Sequence, residues 1–374
     1  MTFFSRFRRI TSSGKFLPFI DGLRFIAIAP VILTHIFYFI VIKANYAETA
    51  TSSWLWLPIK NGGHGVQIFF AISGFILALP FVSYYLGVST KPVSLKSYFL
   101  RRLTRLEPPY IISMVFFFIV LIITHKYTFS NLFPHLVGSL LYVHNIIWGK
   151  GSDINTVAWS LEVEVQFYIL APVIFLIFKQ KQLIRRAAIL FVILLFACLN
   201  SYYNIYYRSL PGQIQFFLIG VLMADIYVSK KNDNLVAKLN HPLIFITSLL
   251  AILFIDYTSG FFNQVVFLAA LLIMFLSSIS PNLKNHFLKN NIVTFCGGMC
   301  YSIYLIHYPL ISFVGGKLLA KFPISGLLPQ FIVYCLIIIP IIFVCSVGFY
   351  LLFERPFMDK NWYKKKLTLS KDTI

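Results

Sequence analysis

Apolar residues gather into ten stretches that read as membrane-spanning helices, at about 20–42, 65–86, 107–124, 162–179, 187–203, 211–229, 242–256, 262–280, 292–314 and 328–353. An eleventh candidate, Asn131 to Trp148, is interrupted by Pro134, His135, Gly138, His144 and Asn145. Parity settles how it is read. With the N-terminus in the cytoplasm and ten crossings, cytoplasmic segments carry 24 of the 32 basic residues and the opposite side carries 7. An eleventh crossing would move Lys179, Lys181, Arg185 and Arg186 to the outside. The positive-inside rule therefore predicts an all-α polytopic membrane protein with both termini cytoplasmic. The extra segment becomes a re-entrant or outer-surface helix, whose irregular backbone must be buried in protein or line a cavity. No internal repeat, linker or soluble domain interrupts residues 1–374, so the chain reads as one membrane domain.

Composition agrees with this reading. Hydrophobic residues make up 59% of the chain and charged residues 12%, which excludes a soluble domain of this length. The excess of 32 basic over 12 acidic residues would suit a nucleic-acid partner, but the basic residues fall in the loops of one membrane face. The start, Phe3 to Arg9, resembles that of a signal peptide. No small-residue cleavage site follows, so the first apolar run is expected to stay as a span. Cys198, Cys296, Cys300, Cys335 and Cys345 lie in or beside apolar runs with no zinc ligand set around them, and no metal is expected. Cys296 and Cys300 are placed on one face of the ninth span.

Chemistry is sought where polar side chains enter the spans. The first span contains Arg24 and His35. A charged Arg inside a span costs about 2.5–3.5 kcal/mol, so intramembrane Arg and His point to function with partners to be found. Eleven residues of helix advance about 16 Å and turn three times plus about 20°, so both side chains leave one face. The plainer alternatives are that Arg24 snorkels to headgroups or pairs with Asp21, a candidate N-cap, and that His35 bonds to another helix.

The second span carries Ser73-Gly74, which lacks the glycine pattern of a nucleophile elbow and reads as close helix packing. In the basic loop before the third span, Arg101, Arg102 and Arg105 suit an anionic group such as phosphate, and Pro108-Pro109 is expected to end their helix. The fourth span opens on Trp159, Glu162, Glu164 and Tyr168. Its two carboxylates point about 200° apart, so one is expected to face solvent and the other the bundle as an acid/base candidate. His307 lies inside the ninth span. Asp225 and Glu354 sit at inner helix ends, where ion pairing or solvation is expected.

Taken in order, the stretches DGLRFIAIAPVILTH, GVQIFFAISGFIL, RRLTRLEPPY, WSLEVEVQFYILAP, YSIYLIHYPL and ERP resemble bacterial acyltransferase family 3, over about residues 17–357. The resemblance implies a membrane enzyme of the bacterial cytoplasmic membrane that O-acetylates an extracytoplasmic glycan or lipid-linked sugar from cytoplasmic acetyl-CoA. It implies a catalytic role for His35 and a donor-facing role for Arg24. It also matches Glu164, with Trp159 and Tyr168, to the family's W-x4-E-x2-FY pattern, Arg102 and Arg105 to its basic motif, and His307 to its late Y-L-x-H motif. Glu107 stands where the family more often has an apolar residue. No esterase-like domain follows the membrane part, so the chain is expected to complete the transfer itself or pass the acyl group to a separate protein.

In the resulting picture the arginines hold the donor's phosphates and the thioester reaches His35. His35 serves as general base or transient acyl acceptor, and Glu164 orients its imidazole. A proton-coupled secondary transporter of an anionic or glycan substrate is the alternative, since buried Arg, His and Glu also build proton relays.

Overall fold

The computed structural model of the protein describes residues 16–46, 52–203, 205–229, 238–279, 286–322 and 324–358. Arg6, Arg8, Arg9 and Lys15 and the basic tail beyond Met358 lie outside these residues. Among the described residues all regular structure is helical. The principal helices are α1 (Pro18–Lys43), α2 (Gly65–Tyr85), α3 (Leu95–Ile123), α4 (Phe129–Leu140), α5 (His144–Trp148), α6 (Trp159–Ile174) and α7 (Gln182–Tyr203). They are followed by α8 (Leu210–Ser229), α9 (Pro242–Phe254), α10 (Phe261–Leu276), α11 (Asn291–Gly298), α12 (Cys300–Lys321) and α13 (Leu327–Phe349).

Eight segments are long and apolar enough to cross a membrane: α1, Trp54–Tyr85, α3, Thr156–Lys179, α7, α8, α12 and Leu327–Glu354. Two of the ten expected spans are shorter, because α9 and α10 have 13 and 16 residues. That is about 20 and 24 Å against a hydrocarbon core of about 30 Å. The pair still runs the depth of α1. Near the end of α10, Phe275 packs on Phe75, which packs on Phe19 at the start of α1. Between α9 and α10, Asp256 lies within electrostatic reach of Tyr38, near the other end of α1.

The centre of the bundle is the α2–α8 pair. Gly74 faces the Phe217 carbonyl and Gly220 the Ala71 carbonyl, each so closely that a Cβ would collide with backbone. Small residues let two backbones approach where no hydrophobic effect drives helices together in lipid. Beside them Phe70, Phe217 and Phe167 form a stack with centroids 4.5 and 4.2 Å apart, tying α6 to the pair. Large apolar side chains such as Leu183, Phe262 and Leu336 cover the outside.

The interrupted segment 131–148 does not form one helix. α4 descends along α3, with Phe129 packed on Phe118 and the Tyr110 hydroxyl donating to the Ser139 carbonyl at 3.0 Å. The chain reverses at Tyr142, whose φ is 59°, and Tyr142 stacks on Tyr110 at 5.1 Å. α5 then leads back. It runs back along α4, with His144 and Trp148 packed on His135, and is held to α6 through Asn145 and Glu162.

Several expected boundaries move. Pro108 and Pro109 lie inside α3 and do not end it, so the three arginines and the third span share one continuous helix. Spanning helices tolerate proline because neighbouring groups satisfy the freed carbonyls. The expected ninth span breaks at Met299, which places Cys296 on α11 and Cys300 on α12 rather than on one helical face. The break follows Gly297, whose backbone lies against the Asp21 carbonyl too closely for a side chain. Asp21 is not the N-cap of α1; Leu17 holds that position, and Asp21 sits buried in the first turn.

Asp225 is ion-paired, not solvated. It is fully buried on α8 and accepts from Arg185 Nε at 2.6 Å and Arg186 Nε at 2.5 Å, clamping α7 to α8. Removing one partner of a buried ion pair costs about 3–5 kcal/mol, because the other charge stays buried. Asp225→Asn is therefore expected to lower the thermal unfolding midpoint of the detergent-solubilised protein. An unchanged midpoint would show that the clamp adds nothing to stability.

Candidate functional site

A cavity of about 1360 Å³ lies inside the bundle, beyond the roughly 300–1,000 Å³ typical of sites for small ligands. From α1 it is lined by Leu17, Ile20, Arg24, Ile28, Val31 and His35. Their spacing of three and four residues is that of one helical face, over about 27 Å of rise. The expectation that Arg24 and His35 share a face is met, and that face is a cavity wall.

One end of the cavity is cationic. Arg101, Arg102 and Arg105 of α3 line it together with Lys91 of the preceding loop. Arg102 lies over the Tyr98 ring, 5.0 Å from its centroid. Arg24 donates from Nη1 to Asp21 Oδ1 at 2.8 Å, so the pairing alternative for Arg24 is realised while its side chain also lines the cavity. Glu164 lies within electrostatic reach of both Arg24 and Arg102. Glu107 does not line the cavity; it lies beside Tyr142 on the other side of α3. The acid that departs from the family pattern is thus kept from the guanidinium groups.

The other end holds two imidazoles. His35 of α1 and His307 of α12 lie with ring centroids 5.2 Å apart. The two helices run parallel: Gly297, just before α12, meets Asp21, His307 meets His35, and Gly315 meets the Phe39 ring. His307 Nδ1 lies 3.0 Å from the Ile303 carbonyl and 2.9 Å from the Tyr304 carbonyl. Carbonyl oxygens only accept, so the proton is on Nδ1 and Nε2 keeps its lone pair. That Nε2 is buried and makes no hydrogen bond with the protein. His35 makes no protein hydrogen bond and is partly exposed to the cavity.

Glu164 does not orient His35. Its Oε1 accepts from the Ser73 and Tyr168 hydroxyls, which draws the carboxylate onto the α2 side of the cavity. Ser73 is therefore both packed, through Gly74, and bonded to a cavity-facing acid. Trp159 lines the cavity and packs on Phe70 and Tyr207. Neither carboxylate of α6 faces solvent, contrary to expectation. Glu162 is fully buried, and its Oε2 accepts from the backbone N–H of Asn145 at 2.7 Å, holding the first turn of α5.

Sequence reasoning missed the groups that fix α12. The Tyr304 hydroxyl donates to the Val157 carbonyl at 2.6 Å and accepts from Ser160 Oγ at 3.2 Å, joining α12 to the start of α6. Glu354 is not a surface partner of basic loops. It is fully buried, and its Oε2 accepts from Ser302 Oγ at 2.5 Å and Ser302 N at 3.1 Å, closing the first turn of the helix that carries His307. The spacing Cys300, Tyr304, His307 held the signal, since all three line the cavity from one face. Among the described residues no group of three or more His, Cys, Asp or Glu side chains is placed to hold a metal ion.

The family model described as an acyltransferase domain matches residues 17–350 of this chain. The chain belongs to acyltransferase family 3. The residues matched to that family include every residue that lines the cavity except Phe357 and Met358. Among curated family relatives, the O-acetyltransferase OatA of Staphylococcus aureus strain NCTC 8325 is 26% identical over 94% of this chain and 58% of its own length. The protein of the same name from strain COL gives the same values. The chain thus spans about three fifths of the length of the curated relatives it matches, 58–59%. No solved structure matches the chain.

Proposed function

We propose that the protein is a membrane O-acetyltransferase that moves an acetyl group from cytoplasmic acetyl-CoA to a hydroxyl of an extracytoplasmic glycan or lipid-linked sugar. The observation that carries this reading is one cavity with guanidinium groups at one end and an imidazole pair at the other. The dimensions agree with such a donor. From the diphosphate to the sulfur of coenzyme A there are thirteen bonds, or about 16 Å at about 1.2 Å per bond. Arg24 and His35 are separated along α1 by about the same rise.

Arg24, Arg101, Arg102 and Arg105 bind the donor's phosphates as charge-assisted forks. His35 takes the proton of the acceptor hydroxyl as its oxygen bonds to the acetyl carbon. The carbon–sulfur bond breaks, and the proton passes to the departing thiolate. His307, with its proton fixed on Nδ1, presents the Nε2 lone pair beside that transfer. Glu164, Ser73 and Tyr168 form a polar wall along the path of the donor's arm.

Ten crossings with both termini cytoplasmic fit this direction of transfer. The depth covered by α9 and α10, despite their length, and the reversal of 129–148 at Tyr142 support that topology. The cytoplasmic membrane of a bacterium is the corresponding location.

The test is to incubate the purified full-length chain with radiolabelled acetyl-CoA and candidate glycans. Label on the glycan is the expected result. Donor-independent uptake of substrate into vesicles, with no label transferred, would overturn the enzyme reading in favour of transport.

A further inference from the structure

The cavity stops at the imidazole pair. No residue of α1 beyond His35 and none of α12 beyond His307 lines it. Tyr308 stands against His35 without lining the cavity, its ring edge-on at 5.1 Å and partly exposed. One turn further along α1 is Tyr38, which is 40% exposed. Neither the Tyr38 nor the Tyr308 hydroxyl is hydrogen-bonded to the protein.

Given the transfer reaction proposed above, on which this inference rests, the donor's arm fills the cavity side of His35. An acceptor oxygen must come within about 3–3.5 Å of the acetyl carbon beside the same imidazole. It therefore arrives from the side where Tyr308 stands. We propose that Tyr308 and Tyr38 form the acceptor subsite, and that its ligand is a pyranose ring stacked on Tyr308 with its hydroxyls bonded to the two phenols. The chemistry suits a saccharide: aromatic rings offer an apolar face, and each phenol hydroxyl supplies the donor and acceptor that sugar hydroxyls need. An interfacial tyrosine belt accounts for Tyr202 and Tyr203, 71% and 74% exposed at the end of α7. It does not account for a tyrosine set against the imidazole.

The experiment follows the fate of radiolabelled acetyl-CoA in the full-length purified protein, with water alone and with methyl β-glucopyranoside or chitotriose. In the wild type, saccharide is expected to divert label from acetate to sugar. Tyr308→Ala is expected to raise the saccharide KM about two- to twelvefold, the worth of an aromatic contact of about 0.5–1.5 kcal/mol, while hydrolysis persists or rises as water reaches the imidazole. Tyr308→Trp, which keeps an aromatic face, is expected to retain diversion. An unchanged saccharide KM in Tyr308→Ala, or an equal fall of hydrolysis and transfer in both the Ala and Trp variants, would overturn the subsite. A wild type that hydrolyses acetyl-CoA but acetylates neither saccharide would overturn the pyranose assignment. A wild type that neither binds nor hydrolyses acetyl-CoA would instead remove the acetyltransferase reading itself.

Discussion

Replacing His35 by alanine is expected to lower acetyl transfer by about two to four orders of magnitude, the usual contribution of a positioned acid/base group. The protein should still insert and fold, because His35 makes no hydrogen bond to the protein and lies on a cavity wall. The affinity for acetyl-CoA should change little, since Arg24 sits about 16 Å away along α1 and the arginines of α3 line the cationic end of the cavity with it. The measurement is kcat with purified variant alongside acetyl-CoA binding by calorimetry. Loss of kcat with retained binding assigns His35 to the chemistry. Retained kcat would pass that role to His307, the other imidazole at that end of the cavity. His307 is the less direct choice, because its Nδ1 is committed to two backbone carbonyls and its ring cannot turn without breaking both.

The large features of the fold were legible because membrane solvent leaves the chain few options. Backbone groups in lipid must bond within their own segment, so apolar length becomes helix. The helical period then placed Arg24 and His35 on one face without knowledge of any neighbour. What could not be read depended on neighbours. Pro108-Pro109 looks like a stop, yet α3 runs through it. Glu162 and Glu164 differ by two positions in sequence, and only the packing of α5 and α2 shows that one holds a backbone turn while the other faces the cavity. The partner of Glu164 was misjudged for the same reason. A carboxylate near a histidine suggests a catalytic pair, but Ser73 and Tyr168 compete for it at closer range. Glu354 shows the converse case, where an acid that reads as a surface charge is buried as the cap of a helix more than fifty residues earlier in the chain.

The second large effect concerns the cationic end and separates binding from chemistry. The double variant Arg102→Ala with Arg105→Ala is expected to raise the KM for acetyl-CoA by about two orders of magnitude. Hydrogen bonds to charged groups contribute about 1.5–3 kcal/mol, so two of them at the lower figure give about 3 kcal/mol, and each 1.4 kcal/mol is tenfold. kcat should move far less, because neither guanidinium is at the imidazole end of the cavity. A donor without phosphates makes the assignment specific. S-acetylpantetheine carries the same thioester on the same arm, so the wild type should use it poorly and the double variant about equally poorly. The preference for acetyl-CoA over S-acetylpantetheine would then collapse through loss of the better donor alone. If both donors suffered together, the arginines would be holding α3 in place and not the phosphates. Tyr98 would be the structure affected, since Arg102 lies over its ring and its hydroxyl donates to the Tyr168 carbonyl at 3.2 Å. Arg102→Lys separates the two cases further: it keeps a charge for phosphate but loses the planar fork and the flat contact with Tyr98.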